Sequence, residues 1–118
     1  AIAARHPSLR VKTFDLPAVA QLARERFAQA GLRDRAEAVG GDFLADPLPQ
    51  GVDAAIFVRV LHDHDDERVR RMLRAARAAL PTGGHLLIAE PFADAPGAER
   101  VGAAYFAFYL LARGRGRA

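Results

Sequence analysis

Residues 9–15, Leu-Arg-Val-Lys-Thr-Phe-Asp, alternate apolar and polar positions, the pattern of a strand with one buried face. Pro17 follows where a first helical turn accepts proline, because the N–H groups of that turn have no intrahelical partner. Val19, Leu22, Ala23, Phe27 and Ala30 recur at helical spacing, and Gly31 stops the run. Residues 36–39 predict a short second strand that closes in Gly40-Gly41-Asp42, and Pro47 and Pro49 mark a loop. Residues 53–61 are nearly all apolar, which predicts a strand covered on both faces, as in parallel sheets. Asp63, Asp65 and Asp66 suit a helix start, where unpaired N–H groups attract negative charge. Val69, Met72, Leu73, Ala76 and Leu80 then form an apolar stripe with arginines opposite, ended by Pro81 and Gly83-Gly84. His85 to Glu90 predict another apolar strand, closed by Pro91. From about Glu99 to Ala112 the pattern is helical again and rich in Tyr and Phe.

The order strand–helix–strand–strand–helix–strand–helix, with crossover helices between apolar strands, predicts an α/β fold with an open, mostly parallel sheet. A length of 118 residues allows one domain at most, and 51% hydrophobic residues are enough to supply its core. The absence of cysteine excludes disulfides and thiolate metal sites. No signal peptide is recognisable and no apolar run is long enough to cross a bilayer, so a cytoplasmic protein is expected. A formal charge of +3 and a pI near 10.2 raise the question of nucleic acid. The arginines, however, are spread over every predicted helix among Asp and Glu, which fits solvated faces rather than a phosphate-tracking stripe. The opening Ala1-Ile2-Ala3-Ala4 reads as the end of an interrupted helix, and Arg117-Ala118 brings no closing element, so a fragment truncated at both ends is expected.

In open parallel sheets ligands lie beyond the carboxyl ends of the strands. Four polar residues fall at such ends: Asp15, Asp42, His62 and Glu90. One crevice is expected to gather them. Asp15 has the chemistry to accept both hydroxyls of a ribose, although taken alone a helix N-cap before Pro17 explains it better. Asp42 can reach an adenine edge with Phe43 against the ring, or serve as a plain turn residue. Histidine titrates near neutrality, so His62 is a candidate to take a proton from a hydroxyl; the alternative is a satisfied loop histidine. A carboxylate such as Glu90 beside an imidazole fixes its tautomer and stabilises the imidazolium, or else caps a neighbouring loop.

A rival constellation is the run His62-Asp63-His64-Asp65-Asp66-Glu67, which looks somewhat like the H-x-H-x-D-H cluster of binuclear metallohydrolases. Glu67 stands where the last histidine belongs, and His85 begins a strand at the opposite end from the site. The metal reading therefore ranks below the base reading. A third possibility is a non-catalytic Rossmann-like protein that binds a nucleoside.

Taken in order, Phe14-Asp15-Leu16-Pro17, Gly40-Gly41-Asp42-Phe43, Val60-Leu61-His62-Asp63 and Leu80-Pro81-Thr82-Gly83-Gly84-His85 through Glu90-Pro91 resemble the plant-type and bacterial small-molecule O-methyltransferases. The resemblance covers nearly the whole chain. His64, where most of that family has Trp, and the aromatic run Tyr105-Phe106-Ala107-Phe108-Tyr109 are similar to the carotenoid branch, the demethylspheroidene (hydroxyneurosporene) O-methyltransferases. Polyketide and phenol methyltransferases are the nearest alternatives.

The resemblance implies a partial Rossmann-like class I methyltransferase domain that uses S-adenosylmethionine. It implies that Asp15 and Leu16 hold the cofactor ribose, that Asp42 and Phe43 meet the adenine, that His62 is the general base and that Glu90 orients it. Tyr105, Phe108 and Tyr109 would line a pocket for an apolar small molecule, with core packing as the alternative. No metal is implied. The family's glycine-rich loop, its first strand and its N-terminal dimerisation domain have no counterpart in residues 1–118. A homodimer is implied for the full protein, and weak folding and weak cofactor binding for this stretch alone.

Overall fold

The computed structural model describes residues 2–90 and Leu111, and divides the chain into two units, residues 1–50 and 51–118. The predicted helix over 99–112, with Tyr105, Phe108 and Tyr109, and the strand-closing Pro91 lie outside the described residues apart from Leu111, which is helical and exposed.

The first unit runs α1 (Ile2–Arg5), β1 (Val11–Asp15), α2 (Pro17–Gln29) and β2 (Ala36–Gly40). β1 and β2 pair in parallel, in register from Val11 with Ala36 to Asp15 with Gly40. Pro17 opens α2 as the sequence predicts, and Gly31, with φ +67°, ends the turn that follows it. The predicted apolar stripe of α2 is only partly the buried one. Ala20 is buried and Ala23 and Phe27 half-buried, whereas Val19, Leu22 and Ala30 are exposed. The helix meets the strands at close range where side chains are small: a Cβ on Gly40 would lie 3.0 Å from Pro17 Cα. Close approach of this kind selects alanine over the bulkier apolar neighbours. Arg35 ties α1 and the following loop to the start of β2. Its guanidinium donates to the carbonyls of Ala3 (3.0 Å), His6 (3.3 Å) and Leu9 (3.1 Å).

The second unit contains β3 (Ala54–Val58), a 3₁₀ turn at Leu61–Asp63, α3 (Asp66–Ala79) and β4 (His85–Ala89). β3 and β4 are again parallel, in register from Ala54 with His85 to Val58 with Ala89. The parallel pairing expected from the apolar runs is thus present in both units, as two two-stranded ladders. Asp65 caps α3 by accepting the Arg68 amide at 3.0 Å. The predicted stripe holds well here: Met72, Ala76 and Leu80 are buried and Val69 and Leu73 half-buried. Pro81 and Gly84 then turn the chain, Gly84 N–H donating to Pro81 O at 3.0 Å, and His85 N–H opens the ladder on Asp53 O at 3.0 Å.

Two expectations change. The apolar run 53–61 ends as a strand at Val58, because Arg59 adopts φ +54° and Val60 φ −116°, ψ −47°, which breaks the extended chain. Nor are both faces covered: Phe57 is buried, but Ile56, Val58 and Leu87 are about half exposed, and every residue of β4 is exposed. Apolar composition records what the strands are suited to bury, and burial itself depends on neighbouring elements. Among the described residues no helix is long and apolar enough to cross a membrane.

Candidate active site

In the second unit the carboxyl ends of two adjacent strands bring two of the predicted residues into contact. β4 ends at Ala89, so Glu90 is the first residue past its ladder. The last ladder bond of the pair is Arg59 N–H to Ala89 O at 3.0 Å. Beyond it the chain turns into the 3₁₀ segment, held by Asp63 N–H to Val60 O (3.3 Å) and His64 N–H to Leu61 O (3.1 Å). That turn delivers the His62 ring to Glu90.

The Glu90 carboxylate is shared between two tasks. Oε1 accepts the amides of Val60 at 2.7 Å and Leu61 at 2.9 Å. Oε2 lies 2.6 Å from His62 Nδ1. The two side chains are 5% and 3% exposed. Burial pushes the Glu90 carboxyl up, but the bonds from His62, Leu61 and Val60 and the charge of His62 outweigh it and leave it below the usual carboxylate range. An ionised carboxylate only accepts, so Nδ1 carries the proton and donates it. In the neutral form of that ring Nε2 is the acceptor. Asp63 Oδ1 lies 3.4 Å from Nε2, so the imidazole has a carboxylate near each nitrogen. The sequence pattern placed Asp63 at a helix start, in the rival metal-ligand run and in the family motif, but not as a partner of the His62 ring. Its adjacency to His62 was the available signal.

In the first unit Asp15 and Asp42 stand at the carboxyl ends of paired strands. Gly41 N–H donates to Asp15 O at 2.8 Å, which joins the two ends. Asp15 Oδ1 accepts the Leu16 amide at 2.8 Å, a local contact rather than a cap on the first turn of α2, and Leu16 is exposed. Asp42 does serve as a turn residue: Oδ1 accepts Leu44 N–H at 2.8 Å, and its own N–H donates to Asp46 Oδ2 at 2.9 Å. It is nevertheless exposed. Phe43 packs edge-on against Phe14, with centroids 5.3 Å apart and planes at 63°. Gly41 leaves room there for the Phe14 ring, whose tip a Cβ would overlap. So His62 and Glu90 are joined in one unit, and Asp15, Asp42 and Phe43 cluster in the other.

An imidazole–carboxylate pair at the end of a parallel ladder, with acidic side chains at the ends of another, fits many nucleotide-using enzymes. The deciding observation is that the O-methyltransferase domain family matches residues 1–118. This chain belongs to the O-methyltransferase family. It is 43% identical over 117 residues to demethylspheroidene O-methyltransferase of Cereibacter sphaeroides, covering 99% of this chain and 31% of that protein. It is 41% identical over 113 residues to 3-hydroxy-5-methyl-1-naphthoate 3-O-methyltransferase of Streptomyces sahachiroi, covering 96% of this chain and 33% of the relative. A solved structure of the O-methyltransferase NcsB1 from neocarzinostatin biosynthesis superposes with a TM-score of 0.83 at 32% identity. It covers 99% of this chain and 34% of that one, and was obtained with S-adenosylmethionine and 2-hydroxy-5-methyl naphthoic acid. This O-methyltransferase chain thus spans about a third of the length of the relatives it matches.

The metallohydrolase alternative finds no support in the O-methyltransferase chain. Among the described residues no three His, Asp or Glu side chains are placed to hold a metal ion. His62 gives Nδ1 to Glu90, and Asp65 is committed to capping α3.

Proposed function

We propose that this chain is the catalytic part of an S-adenosylmethionine-dependent O-methyltransferase in which His62 is the general base and Glu90 orients it. The observation that carries the reading is the 2.6 Å contact between His62 Nδ1 and Glu90 Oε2 at the ends of adjacent parallel strands. The carboxylate holds one tautomer, with Nε2 as acceptor, so Nε2 is the atom that takes the hydroxyl proton of the substrate. Asp63 Oδ1, at 3.4 Å, then stabilises the new Nε2–H, while Glu90 stabilises the imidazolium from the other side. An aliphatic alcohol is too weak an acid to ionise beforehand, so His62 Nε2 would take its proton as the oxygen becomes the nucleophile. Base catalysis of this kind contributes about 10²–10⁴-fold.

The residues of the first unit fit the cofactor. Its ribose offers hydroxyl donors and its adenine an amino donor, and Asp15 and exposed Asp42 present carboxylates at neighbouring strand ends. Bound S-adenosylmethionine supplies an already electrophilic sulfonium methyl, and the chain has to align the acceptor oxygen and remove one proton. Alignment alone is worth on the order of 7–11 kcal/mol in favourable intramolecular cases.

For the acceptor we propose an apolar small molecule with a hydroxyl, a carotenoid of the demethylspheroidene type. The 43% identity to a demethylspheroidene O-methyltransferase supports it. Tyr105, Phe108 and Tyr109 remain the proposed pocket lining on the strength of their sequence pattern. A phenolic or polyketide acceptor is the second reading, favoured by the 41% identity to the naphthoate enzyme. Assays of the full protein with hydroxylated carotenoids and with naphthols separate the two. His62→Ala tests the chemistry: turnover is expected to fall about 10²–10⁴-fold with cofactor binding retained. Unchanged turnover would remove His62 from the reaction.

A further inference from the structure

We infer that Arg59 is a positioning residue of the His62 centre and acts through its backbone. Among the described residues it is the sole non-glycine with positive φ, at +54°. L-residues other than glycine and asparagine rarely hold that conformation, and where they do, the surroundings enforce it.

The surroundings here are the Glu90 carboxylate and the end of the ladder. Arg59 N–H makes the last β3–β4 bond, to Ala89 O. In an extended chain the next two amides would point to opposite sides, since the pleat alternates. Instead the left-handed residue turns the chain, and the Val60 and Leu61 amides converge on one oxygen, Glu90 Oε1. The same turn starts the 3₁₀ segment that sets His62 Nδ1 on Oε2. Two amides anchor the carboxylate, and the carboxylate orients the ring. The conformation of Arg59 is therefore the hinge on which the orientation of His62 depends.

This inference rests on His62 as the base, and its test distinguishes the two claims. Arg59→Gly and Arg59→Asn keep the left-handed turn accessible, whereas Arg59→Val opposes it with a β-branched side chain. In the full protein the first two are expected to keep kcat within about threefold, and Arg59→Val to lower kcat roughly 10–100-fold, the scale of a small misplacement of a catalytic group. KM for S-adenosylmethionine is expected to stay within about twofold in all three, and the pH–kcat profile to shift only in Arg59→Val. Arg59→Ala, milder than Val, serves if Arg59→Val does not fold. A second readout needs no turnover: the low-field NMR signal of the His62 Nδ1 proton should persist in Arg59→Gly and weaken or move in Arg59→Val or Arg59→Ala. Equal losses in Arg59→Gly and Arg59→Val would place the effect in the guanidinium and overturn the inference. So would a wild-type profile and signal in Arg59→Val. If His62→Ala keeps turnover while the proton signal follows the Arg59 series, the base reading fails and the positioning relation stands.

Discussion

Glu90 Oε2 lies 2.6 Å from His62 Nδ1, and the two side chains are almost wholly withdrawn from solvent. The same carboxylate closes the Val60 and Leu61 amides through its other oxygen. One residue past β4 therefore fixes both the path of the chain after β3 and the tautomer of its histidine. A buried acceptor with three donors is costly to change, because each donor left behind loses a partner it cannot replace with water.

Glu90→Gln keeps the shape but brings an amide NH2 among three donors. Its Oε1 can keep the Val60 and Leu61 amides, but its NH2 then faces the His62 Nδ1 proton, so that bond is lost or the ring is driven to the opposite tautomer, at a cost of about 1–3 kcal/mol. Denaturant unfolding should register that loss. The kcat should fall about 10²–10⁴-fold, the range of the base contribution that an unheld tautomer forfeits.

Acid should weaken the same link. The Glu90 carboxyl titrates below its usual range when folded. A depressed folded value means that its stabilisation is complete above the unfolded carboxyl value, about 4.3, and is lost as pH falls through the lower folded value. The stability gap between the wild type and Glu90→Gln should accordingly shrink as pH falls below about 4. A gap that widens below about pH 4 would contradict the assignment.

Gly41→Ala should distort the turn that carries Asp42 and Phe43, since its Cβ would stand 2.4 Å from Phe14 Cζ. Such overpacking costs about 1–3 kcal/mol. Phe14→Leu in the Gly41→Ala background should recover part of it. Thermal unfolding of the two single variants and the double variant measures the coupling.

Asp15→Ala should weaken S-adenosylmethionine binding in the full protein by roughly 10–100-fold, the equivalent of losing a hydrogen bond to a charged group, about 1.5–3 kcal/mol. Calorimetric titration checks this. His62→Ala, by contrast, should leave that affinity unchanged.

Asp65→Ala removes the side-chain cap of α3. The expected cost is about 1 kcal/mol, read as a lowered Tm, with no change in cofactor affinity.

Local pattern made much of this legible. Pro17, Gly31 and the Met72–Ala76–Leu80 stripe announce where helices begin, end and face, because capping, backbone sterics and the 3.6-residue repeat act over a few neighbours. Strand-end position picked out Asp15, Asp42, His62 and Glu90, since apolar runs and their polar terminators are visible in one dimension. What no local rule contains is the conjunction. His62 and Glu90 are 28 residues apart, and only the Ala54–His85 register aligns their strand ends. The left-handed Arg59, the convergence of two amides on Glu90 and the approach of Asp63 to Nε2 carry no signature in residue type. Nor did the apolar character of β3 and β4 decide their exposure. Those outcomes come from long-range pairing, where a carboxylate delivered by one strand determines the backbone path of another.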